Sequence, residues 1–392
     1  MMSEIRSRAL LRMRGVCLQA VQFGRTHNLF VPAAVVCGAG AGDRHTVVVT
    51  ADGRLFTSGN AGYGRLGHGG QENELVPRAV EGLAGKKVVG TSAGNEHTVV
   101  WTEDGMIFTF GNGADGRLGH GGEEIEMVPR AVEGLAGMKV VGATAGGRHT
   151  VVWTEDGRVF SFGLGVDGRL GHGGEENELV PRVVEELAGM KVVGAAAGQD
   201  DYTVVWTEDG RIFTFGSGYE GQLGHGGEEN ELVPRVVEGL AGTKVMGATA
   251  GSQHTLVWTD DGRLFSFGTG YEGQLGHGGE EHEPVPRVVE GLVGTKVMGA
   301  AAGFDYSVVW VEDGRVFSFG WGAYGQLGHG GEERELVPRV MERLVGTKVV
   351  GAAVGRWHTV LWMDNGRVLT CGWSGMEGEV GHSVPRVVGE LV

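Results

Sequence analysis

Short apolar stretches alternate with glycine-rich polar stretches along most of the chain. In one unit these stretches read KVMGATA (244–250), HTLVW (254–258), RLFSFG (263–268) and EPVPRVV (283–289). Apolar runs of this length, bounded by Gly, Asp and Asn, predict β-strands. Only PRVVEGLAG (234–242) approaches helical length, and its glycines oppose a helix. The pattern therefore predicts four strands per unit.

The connection between the second and third strand of each unit carries Asp-Gly or Asn-Gly. Such a pair between two strands predicts a two-residue hairpin loop with positive φ at both central residues. The fourth strand contains proline, which cannot donate a ladder hydrogen bond, so we expect it at the outer edge of its sheet. The pairs begin at Asp52, Asp104, Asp156, Asp209, Asp261, Asp313 and Asn365.

These features recur every 52 or 53 residues. His-Thr marks five copies, and Tyr202-Thr203 and Tyr306-Ser307 mark two more. A second phrase, Leu-Gly-His or a close variant, has its histidine at His68, His120, His172, His225, His277, His329 and His382. Seven such units over residues 35–392 predict an all-β fold, a seven-bladed β-propeller of four-stranded antiparallel blades, whose closed ring leaves no long open edge.

A tryptophan recurs at the end of the second strand in every unit except the first, which has Val49. A large side chain at one strand position in successive units predicts packing between neighbouring blades. These residues are Trp101, Trp153, Trp206, Trp258, Trp310 and Trp362.

Residues 1–34 precede the regular units and allow two interpretations. Four arginines against one glutamate resemble an organelle presequence. Alternatively, AVQFG (20–24) echoes the third strand VFSFG, and LFVP (29–32) echoes the fourth strand ELVP. This N-terminal extension would then close the ring beside unit 7, although unit 7 already has its own VPRVV (384–388). The two interpretations stay open.

Composition narrows the function classes. Glycine contributes 76 of 392 residues, while proline contributes only 9, which excludes collagen. The net charge of −16 opposes general nucleic-acid binding. No apolar run reaches the roughly 18 residues that span a bilayer, so we expect no membrane insertion. Three cysteines without paired spacing indicate an intracellular protein, cytoplasmic or nuclear, with organelle import as the alternative.

Two motifs suggest a ligand, and both have simpler explanations. GSGYEG (216–221) fits G-x-G-x-x-G, but the helix and the acidic residue that a dinucleotide site needs do not follow. Twelve of the 14 histidines are repeat positions on different units, so we expect buried hydrogen-bonding rings rather than metal ligands. No catalytic constellation interrupts the repeats. We therefore expect no cofactor, no metal and no enzymatic activity.

The phrases ATAGGRHTVVW (143–153) and GQLGHGG resemble the repeats of the regulator of chromosome condensation family, in all seven units. The resemblance implies a seven-bladed propeller of about fifty residues per blade. The tryptophan that ends HTVVW departs from the family's usual aliphatic residue. The family's founding member is a guanine-nucleotide exchange factor for the Ran GTPase that uses a wedge-like insertion, whereas this chain has one extra residue, near 199–201. Exchange activity is thus the alternative function.

A plant ultraviolet-B photoreceptor in the same family carries tryptophan in the loop before its His-Thr phrase. A photoreceptor function is disfavoured here, since Trp357 lies one position away from the matching slots. Those slots hold Asp43, Asn95, Gly147, Gln199, Ser252, Phe304 and Arg356.

Positions at which the units differ are the best candidates for a binding site. In an up-and-down blade, the loops between strands one and two and between strands three and four share one face. Units 1–3 carry arginine before Leu-Gly-His there, whereas units 4–6 carry glutamine and gain aromatics. The candidate partner-binding residues are Arg44, Tyr63, Arg148, Tyr219, Glu220, Tyr271, Glu272, Phe304, Asp305, Trp321, Tyr324, Arg356, Trp357 and Trp373.

Exposed aromatics and arginines on a rigid support are typical anchors of protein interfaces. The sequence therefore predicts a non-catalytic protein–protein interaction scaffold that uses this face. Its carboxylates favour a basic segment of a partner protein, a small GTPase being the partner under the exchange-factor alternative. The arginine-bearing half of a second copy would complete a homodimer.

Overall fold

A computed structural model describes residues 35–344, 346–373 and 381–388. Within them the chain forms seven consecutive four-stranded antiparallel sheets, each in sequence order, which confirms the seven-bladed all-β propeller. The proposals for residues 1–34 lie outside the described residues.

Blade 1 contains β1–β4, and each later blade takes the next four strands. Blades 1–4 contain β1 Val36–Ala41, β2 His45–Thr50, β3 Leu55–Gly59, β4 Glu74–Ala79, β5 Val88–Ala93, β6 His97–Thr102, β7 Ile107–Gly111, β8 Glu126–Ala131, β9 Val140–Ala145, β10 His149–Thr154, β11 Val159–Gly163, β12 Glu178–Val183, β13 Val192–Ala197, β14 Tyr202–Thr207, β15 Ile212–Gly216 and β16 Glu231–Val236. Blades 5–7 contain β17 Val245–Ala250, β18 His254–Thr259, β19 Leu264–Gly268, β20 Glu283–Val288, β21 Val297–Ala302, β22 Tyr306–Val311, β23 Val316–Gly320, β24 Glu335–Val340, β25 Val349–Val354, β26 His358–Met363, β27 Val368–Gly372 and β28 His382–Val387.

Single 3₁₀ turns occupy two kinds of connection. Those between a third and a fourth strand are Gly62–Gly64, Ala114–Gly116 and Val166–Gly168. Those between successive blades are Glu81–Leu83, Glu133–Leu135, Glu185–Leu187, Glu238–Leu240, Glu290–Leu292 and Glu342–Leu344. None of the described helices is long and apolar enough to cross a bilayer.

The first strand of each blade lies at the propeller axis. First strands of neighbouring blades contact one another around the ring, including β1 with β25, which closes it. Small residues such as those of VMGATA allow seven strands to converge there. The proline-containing fourth strand is outermost in every sheet, as expected for a strand without a donor at that position.

Apolar side chains from two adjacent blades pack into each core cluster. In one cluster, Val99 and Ile107 of blade 2 meet Val140 of blade 3, and the partly buried Trp101 packs against them. Trp101 also lies over Gly90 on the first strand of its own blade, because a Cβ on Gly90 would come within 2.1 Å of the ring. The predicted blade-to-blade packing of the tryptophans is confirmed, and the glycine opposite each ring makes room for it.

The Asp-Gly hairpins exist, but the predicted two-residue turn is wrong. At Thr50–Arg54, the Gly53 amide donates to the Thr50 carbonyl (2.8 Å) and the Thr50 amide donates to the Arg54 carbonyl (3.0 Å). Only Gly53 has positive φ (86°); Asp52 does not. This is a three-residue loop, a type I turn followed by a glycine bulge. The Thr50 hydroxyl donates to the Asp52 carboxylate (2.5 Å), which favours this loop.

The histidines of the His-Thr phrases are buried and hydrogen-bonded, as expected, and they connect adjacent blades, whereas those of the Leu-Gly-His phrases are half-buried. His45 Nε2 lies 2.9 Å from the Thr98 hydroxyl of the next blade, and Thr98 in turn donates to the Arg65 carbonyl. Since that hydroxyl proton is already used, the histidine must donate from Nε2. The last link, His358 to Thr46 at 3.0 Å, joins blade 7 to blade 1.

Burial keeps these rings neutral. It lowers the pKa of His149 and His254 to about 3. In the units that carry tyrosine, the phenol reaches further: Tyr202 donates to the His254 carbonyl at 2.6 Å. The links hold the blades in fixed register and so support a rigid face.

The seventh Gly-His phrase does not occupy the position predicted for it. His382 begins the fourth strand and pairs with Gly372, where blade 6 pairs Gly320 with Glu335. The connection between third and fourth strands covers 321–334 in blade 6 but only 373–381 in blade 7. Blade 7 therefore has a connection five residues shorter than that of its neighbour.

Candidate functional site: the loop face

The connections between strands one and two and between strands three and four lie on one side of the propeller, here called the loop face. Arg65, in a connection of the second kind in blade 1, donates from Nη1 to the Asn95 carbonyl in a connection of the first kind in blade 2 (3.1 Å). Arg117 makes the same contact with the Gly147 carbonyl (3.3 Å). In blades 1 and 2 the outer loop, between strands three and four, thus touches the inner loop, between strands one and two, of the next blade.

The arginines that distinguish units 1–3 are not surface charges, contrary to the sequence-based expectation. Arg65, Arg117 and Arg169 are 4%, 3% and 1% exposed. Each donates from Nε to a carbonyl three residues earlier, and Arg169 also pairs with Asp201, next to the one-residue insertion. These arginines shape the turn from below and offer no charged half-surface to a second copy.

Glutamine holds the same turn in the opposite orientation in units 4–6. Gln222 accepts from the Glu220 amide at 2.9 Å, and Gln274 and Gln326 make the equivalent bond. The arginine donates to the carbonyl of a peptide in the turn, whereas the glutamine accepts from the amide of the equivalent peptide. That peptide therefore has opposite orientations in units 1–3 and units 4–6. Residues at the affected position in units 1–3 have positive φ, typical of a type II turn: Tyr63 (59°), Asp115 (62°) and Asp167 (60°).

Polar pairs bridge the outer loops of successive blades between units 3 and 6. The residue just before a fourth strand reaches back to an acidic side chain of the preceding blade. These pairs are Asn230–Asp167 (2.9 Å), His282–Glu220 (2.9 Å) and Arg334–Glu272 (3.8 Å). In blade 7 this residue is Gly381, and blade 6 carries Tyr324 in place of the acid.

Aromatic side chains replace the polar bridge between blades 6 and 7. Phe304, Trp321, Tyr324, Trp357 and Trp373 form what we call the aromatic cluster. Trp357 is its centre, with ring centroids 4.9 Å from Tyr324, 5.3 Å from Trp321 and 6.4 Å from Phe304. Tyr324 stacks on Trp373 at 5.5 Å. The sequence predicted all five as candidates without predicting that they would meet.

Arg356 lies on the inner side of the aromatic cluster. Its guanidinium carbon is 4.2 Å from the Phe304 ring centroid and 4.6 Å from that of Trp357, within cation–π range. Its Nε is buried without a hydrogen-bond partner, and no ion pair within 4.0 Å involves it among the described residues. The rings therefore hold this cation in place.

Carboxylates lie near Arg356 on the loop face. Burial raises the pKa of Asp305 to about 6, the carboxylates of Glu272 and Asp200 add to the rise, and Arg356 opposes it. Burial likewise raises the pKa of Asp43, against the opposing charge of Arg356. The Arg356 cation and the carboxylates of Asp305 and Asp43 are thus close enough on the loop face to influence one another.

The other candidates are spread around the ring. Tyr219 and Tyr271 are each 61% exposed, and Tyr271 meets the His282 ring edge-on at 4.1 Å. Tyr63 is exposed above the buried Arg65. Arg44 pairs weakly with its neighbour Asp43 (3.5 Å), and Arg148 is exposed in blade 3.

Sequence reasoning missed four of the six bridging residues: Asp167, Asn230, His282 and Arg334. A usable signal existed, because the position before the fourth strand varies between units as Asn, Ile, Asn, Asn, His, Arg and Gly.

The G-x-G-x-x-G motif at 216–221 lies in the connection between the third and fourth strands of blade 4. This connection leads into strand β16 and not into the helix that follows such a motif in a dinucleotide site. Within residues 35–344, 346–373 and 381–388, no three His, Cys, Asp or Glu side chains are grouped as metal ligands.

The seven sheets and their repeat define the class of protein. The profile of the Regulator of chromosome condensation (RCC1) repeat matches residues 52–101, 104–153, 156–205, 209–258, 261–310 and 313–362, and a second RCC1 repeat profile matches 35–65. The chain belongs to the RCC1 repeat family.

Two relatives illustrate how the repeats are used elsewhere. The chain is 37% identical to human E3 ubiquitin-protein ligase HERC2 over 324 residues, which is 82% of this chain and 7% of that protein. It is 34% identical to Arabidopsis thaliana Ultraviolet-B receptor UVR8 over 297 residues, which is 76% of this chain and 67% of that protein. The chain thus spans only a small part of HERC2.

Solved structures share the fold. Human WBSCR16 superposes with a TM-score of 0.75 at 25% identity, covering 83% of this chain and 86% of that one. Prp20p from Saccharomyces cerevisiae, described with its binding properties to Gsp1p and histones, superposes with a TM-score of 0.77 at 22% identity, covering 88% and 87%. At that identity, the second likeness concerns the fold alone.

Proposed function

We propose that this chain is a non-catalytic protein-interaction scaffold that binds its partner through the loop face. The aromatic cluster is the anchor, and a basic segment of the partner, docking beside Asp305 and Glu272, is the preferred ligand. The proposal includes an intracellular location, cytoplasmic or nuclear.

The aromatic cluster is the observation that supports this function most strongly. Interface hot spots are enriched in Trp, Tyr and Arg, and here four of the five rings together with Arg356 are of these types. Tyr324 is 39% exposed although it contacts three other rings. The blades beneath are held by buried hydrogen bonds, so binding would require little ordering of the surface.

A comparison of two surface variants tests the proposal. The first variant changes Trp321, Tyr324 and Trp357 to alanine, and the matched control changes Tyr219 and Tyr271, which are exposed but lie outside the cluster. Each is used in affinity capture beside the unchanged chain, with melting temperature confirming the fold. We expect partner recovery to fall at least tenfold for the first variant and by less than half for the control. Equal recovery from all three chains would contradict the proposal.

A guanine-nucleotide exchange factor is the second candidate. Membership in the RCC1 repeat family favours it, and the one-residue insertion near Asp201 opposes it, because it offers no wedge. Nucleotide release from purified small GTPases distinguishes the two functions. The scaffold function predicts that release with the chain present equals spontaneous release, and acceleration would favour the exchange factor.

A further inference from the structure

The side of the propeller opposite the loop face carries the Asp-Gly hairpins and is here called the hairpin face. Each first strand begins at this face. In blade 2, for example, the first-strand residue Val88 pairs with Thr102, the last residue of the second strand before the hairpin. The first strands also contact one another around the axis. Residues at the start of these strands therefore lie around the axis on the hairpin face.

A β-bulge interrupts each first strand at its second residue. In blade 2, Val88 pairs with Thr102 and Gly90 pairs with Trp101, so Val89 is the extra residue of the bulge. The other six blades show the same shift of register. We call the seven bulged residues the apolar ring, because six of them are valine or methionine. They are Cys37, Val89, Val141, Val193, Met246, Met298 and Val350.

The apolar ring is exposed although its neighbours in the strands are buried. Its valines and methionines are 41–51% exposed, whereas the valine before each of them is at most 4% exposed. The bulge thus turns one apolar side chain per blade away from the core. Single exposed apolar residues are common on proteins, but a set collected at one place is typical of a binding surface.

The charges around the apolar ring are neutralised in pairs. On the hairpin face, a lysine before the first strand pairs with a hairpin glutamate in four blades, at 2.6–3.0 Å. A hairpin aspartate pairs with the arginine two residues later in five blades, at 2.7–2.9 Å. The loop face differs, because its outer loops in blades 2–6 each carry an exposed Glu-Glu pair, such as Glu123-Glu124. In a chain with a net charge of −16, repulsion between two copies is therefore weakest when their hairpin faces meet.

We propose that two copies of this chain associate through their hairpin faces, with one apolar ring against the other. In such a two-fold contact both copies offer the same surface, so a lysine of one copy can meet a hairpin glutamate of the other. Stable dimers bury about 800 Å² on each partner, so the paired charges take part in the contact together with the ring. Both loop faces stay on the outside of this dimer. If the proposed function holds, the dimer presents two aromatic clusters and binds a partner that carries two basic segments more tightly than one.

Sedimentation equilibrium of the full chain tests the association. Its mass should rise from that of one chain toward that of two as the concentration increases. Met246→Glu with Met298→Glu should raise the dissociation constant of the dimer at least tenfold. The matched control is Val285→Glu with Val337→Glu, which adds the same charge on the outermost strands, where these valines are 46% and 50% exposed. The control should change the constant less than twofold. A single-chain mass at every concentration up to about 1 mM, or equal weakening by both variants, would overturn the proposal.

Hydroxyl-radical footprinting of the unchanged chain locates the contact without relying on the folding of a variant. Oxidation of Met246 and Met298 should fall at least threefold between a dilute and a concentrated sample, while that of Tyr219 and Tyr271 on the loop face stays the same. Unchanged oxidation of the two methionines would contradict the proposal, and protection of the two tyrosines instead would place the second copy on the loop face. Neither measurement uses a captured partner, so failure of this dimer is distinguishable from failure of the proposed function.

Discussion

In blades 1–3 the loop face is shaped by buried arginines under turns with positive φ, whereas at blades 6 and 7 it is shaped by rings. The scaffold beneath is the same in both regions, since the strands pair in the same register and the same histidine or tyrosine links join the blades. The difference comes from a few positions that the repeat leaves free. A duplicated fold can thus vary its surface chemistry without changing its support.

The two regions also differ in how charge is neutralised. Arg169 forms an ion pair with Asp201 and donates a hydrogen bond to a backbone carbonyl, so its charge is neutralised inside the fold. Arg356 rests on two rings and faces carboxylates without an ion pair within 4.0 Å among the described residues. The first region therefore relies on arginine for stability, and the second region presents it beside exposed aromatics.

Removal of a buried arginine should have the largest effect on stability. We expect Arg169→Ala to lower the free energy of unfolding by about 3 kcal/mol, because it leaves Asp201 and the Val166 carbonyl without their donor. Arg44→Ala, at an exposed position, is the matched control and should change stability by less than about 0.5 kcal/mol. Chemical denaturation measures both. Equal effects would mean that arginine has no special role in blades 1–3.

Two tryptophans separate the roles of strand and surface. Trp310 is the last residue but one of the second strand β22 and packs on Gly299. Trp310→Ala should cost about 2–3 kcal/mol of stability, less than a fully buried tryptophan, because the ring is half-buried. Trp357→Ala should cost about 1 kcal/mol and instead weaken partner capture. The comparison fails if Trp310→Ala weakens capture while leaving the melting temperature unchanged.

Asp305 should make the stability of the fold depend on pH. Its pKa is about 6 in the fold and about 3.9 when unfolded, so the folded state binds more protons between these values. Stability therefore falls as pH rises from about 4 to about 6. Asp305→Asn should remove this fall and raise stability at pH 7 by about 1–2 kcal/mol. A variant with an unchanged pH profile would show that Asp305 titrates normally.

The smallest energetic effect is expected from exchanging the residue under the turn. Arg65→Gln should reverse the peptide before Tyr63 and bring its φ to a negative value, with a stability change within about 1 kcal/mol. The reciprocal Gln222→Arg should give Glu220 a positive φ. Crystal structures of the two variants show the turns directly. Retention of both original turns would mean that residues other than Arg and Gln set the peptide orientation.

Much of the fold was predictable because the same pattern of strands and turns recurs in seven units. Strand number, blade order and the outer position of the proline strand followed from apolar stretches and turn residues. The hairpin type did not, since the hydroxyl of Thr50 and the carboxylate of Asp52 stabilise a longer loop than the Asp-Gly pair alone indicates. The place of His382 was also mispredicted, because the phrase was matched by its letters, whereas strand pairing set its register.

The candidate site was predictable only as a set of variable positions. Variation between units identified the five rings, but their contact joins loops of two different blades, which the sequence of one unit does not place relative to the next. Burial of Arg65, Arg117 and Arg169 was not predictable from residue type, because arginine is rarely buried without several acceptors. Here backbone carbonyls of two successive blades supply them.

Hydroxyl-radical footprinting of the complex tests most directly whether the loop face binds through one side. The chain is oxidised alone and with its captured partner, and modification is read at each aromatic residue. The account predicts that protection on binding is strongest at Trp321, Tyr324 and Trp357, while Tyr63 in blade 1 is modified equally in both samples. Protection at Tyr63 with unchanged modification of those three rings would contradict it.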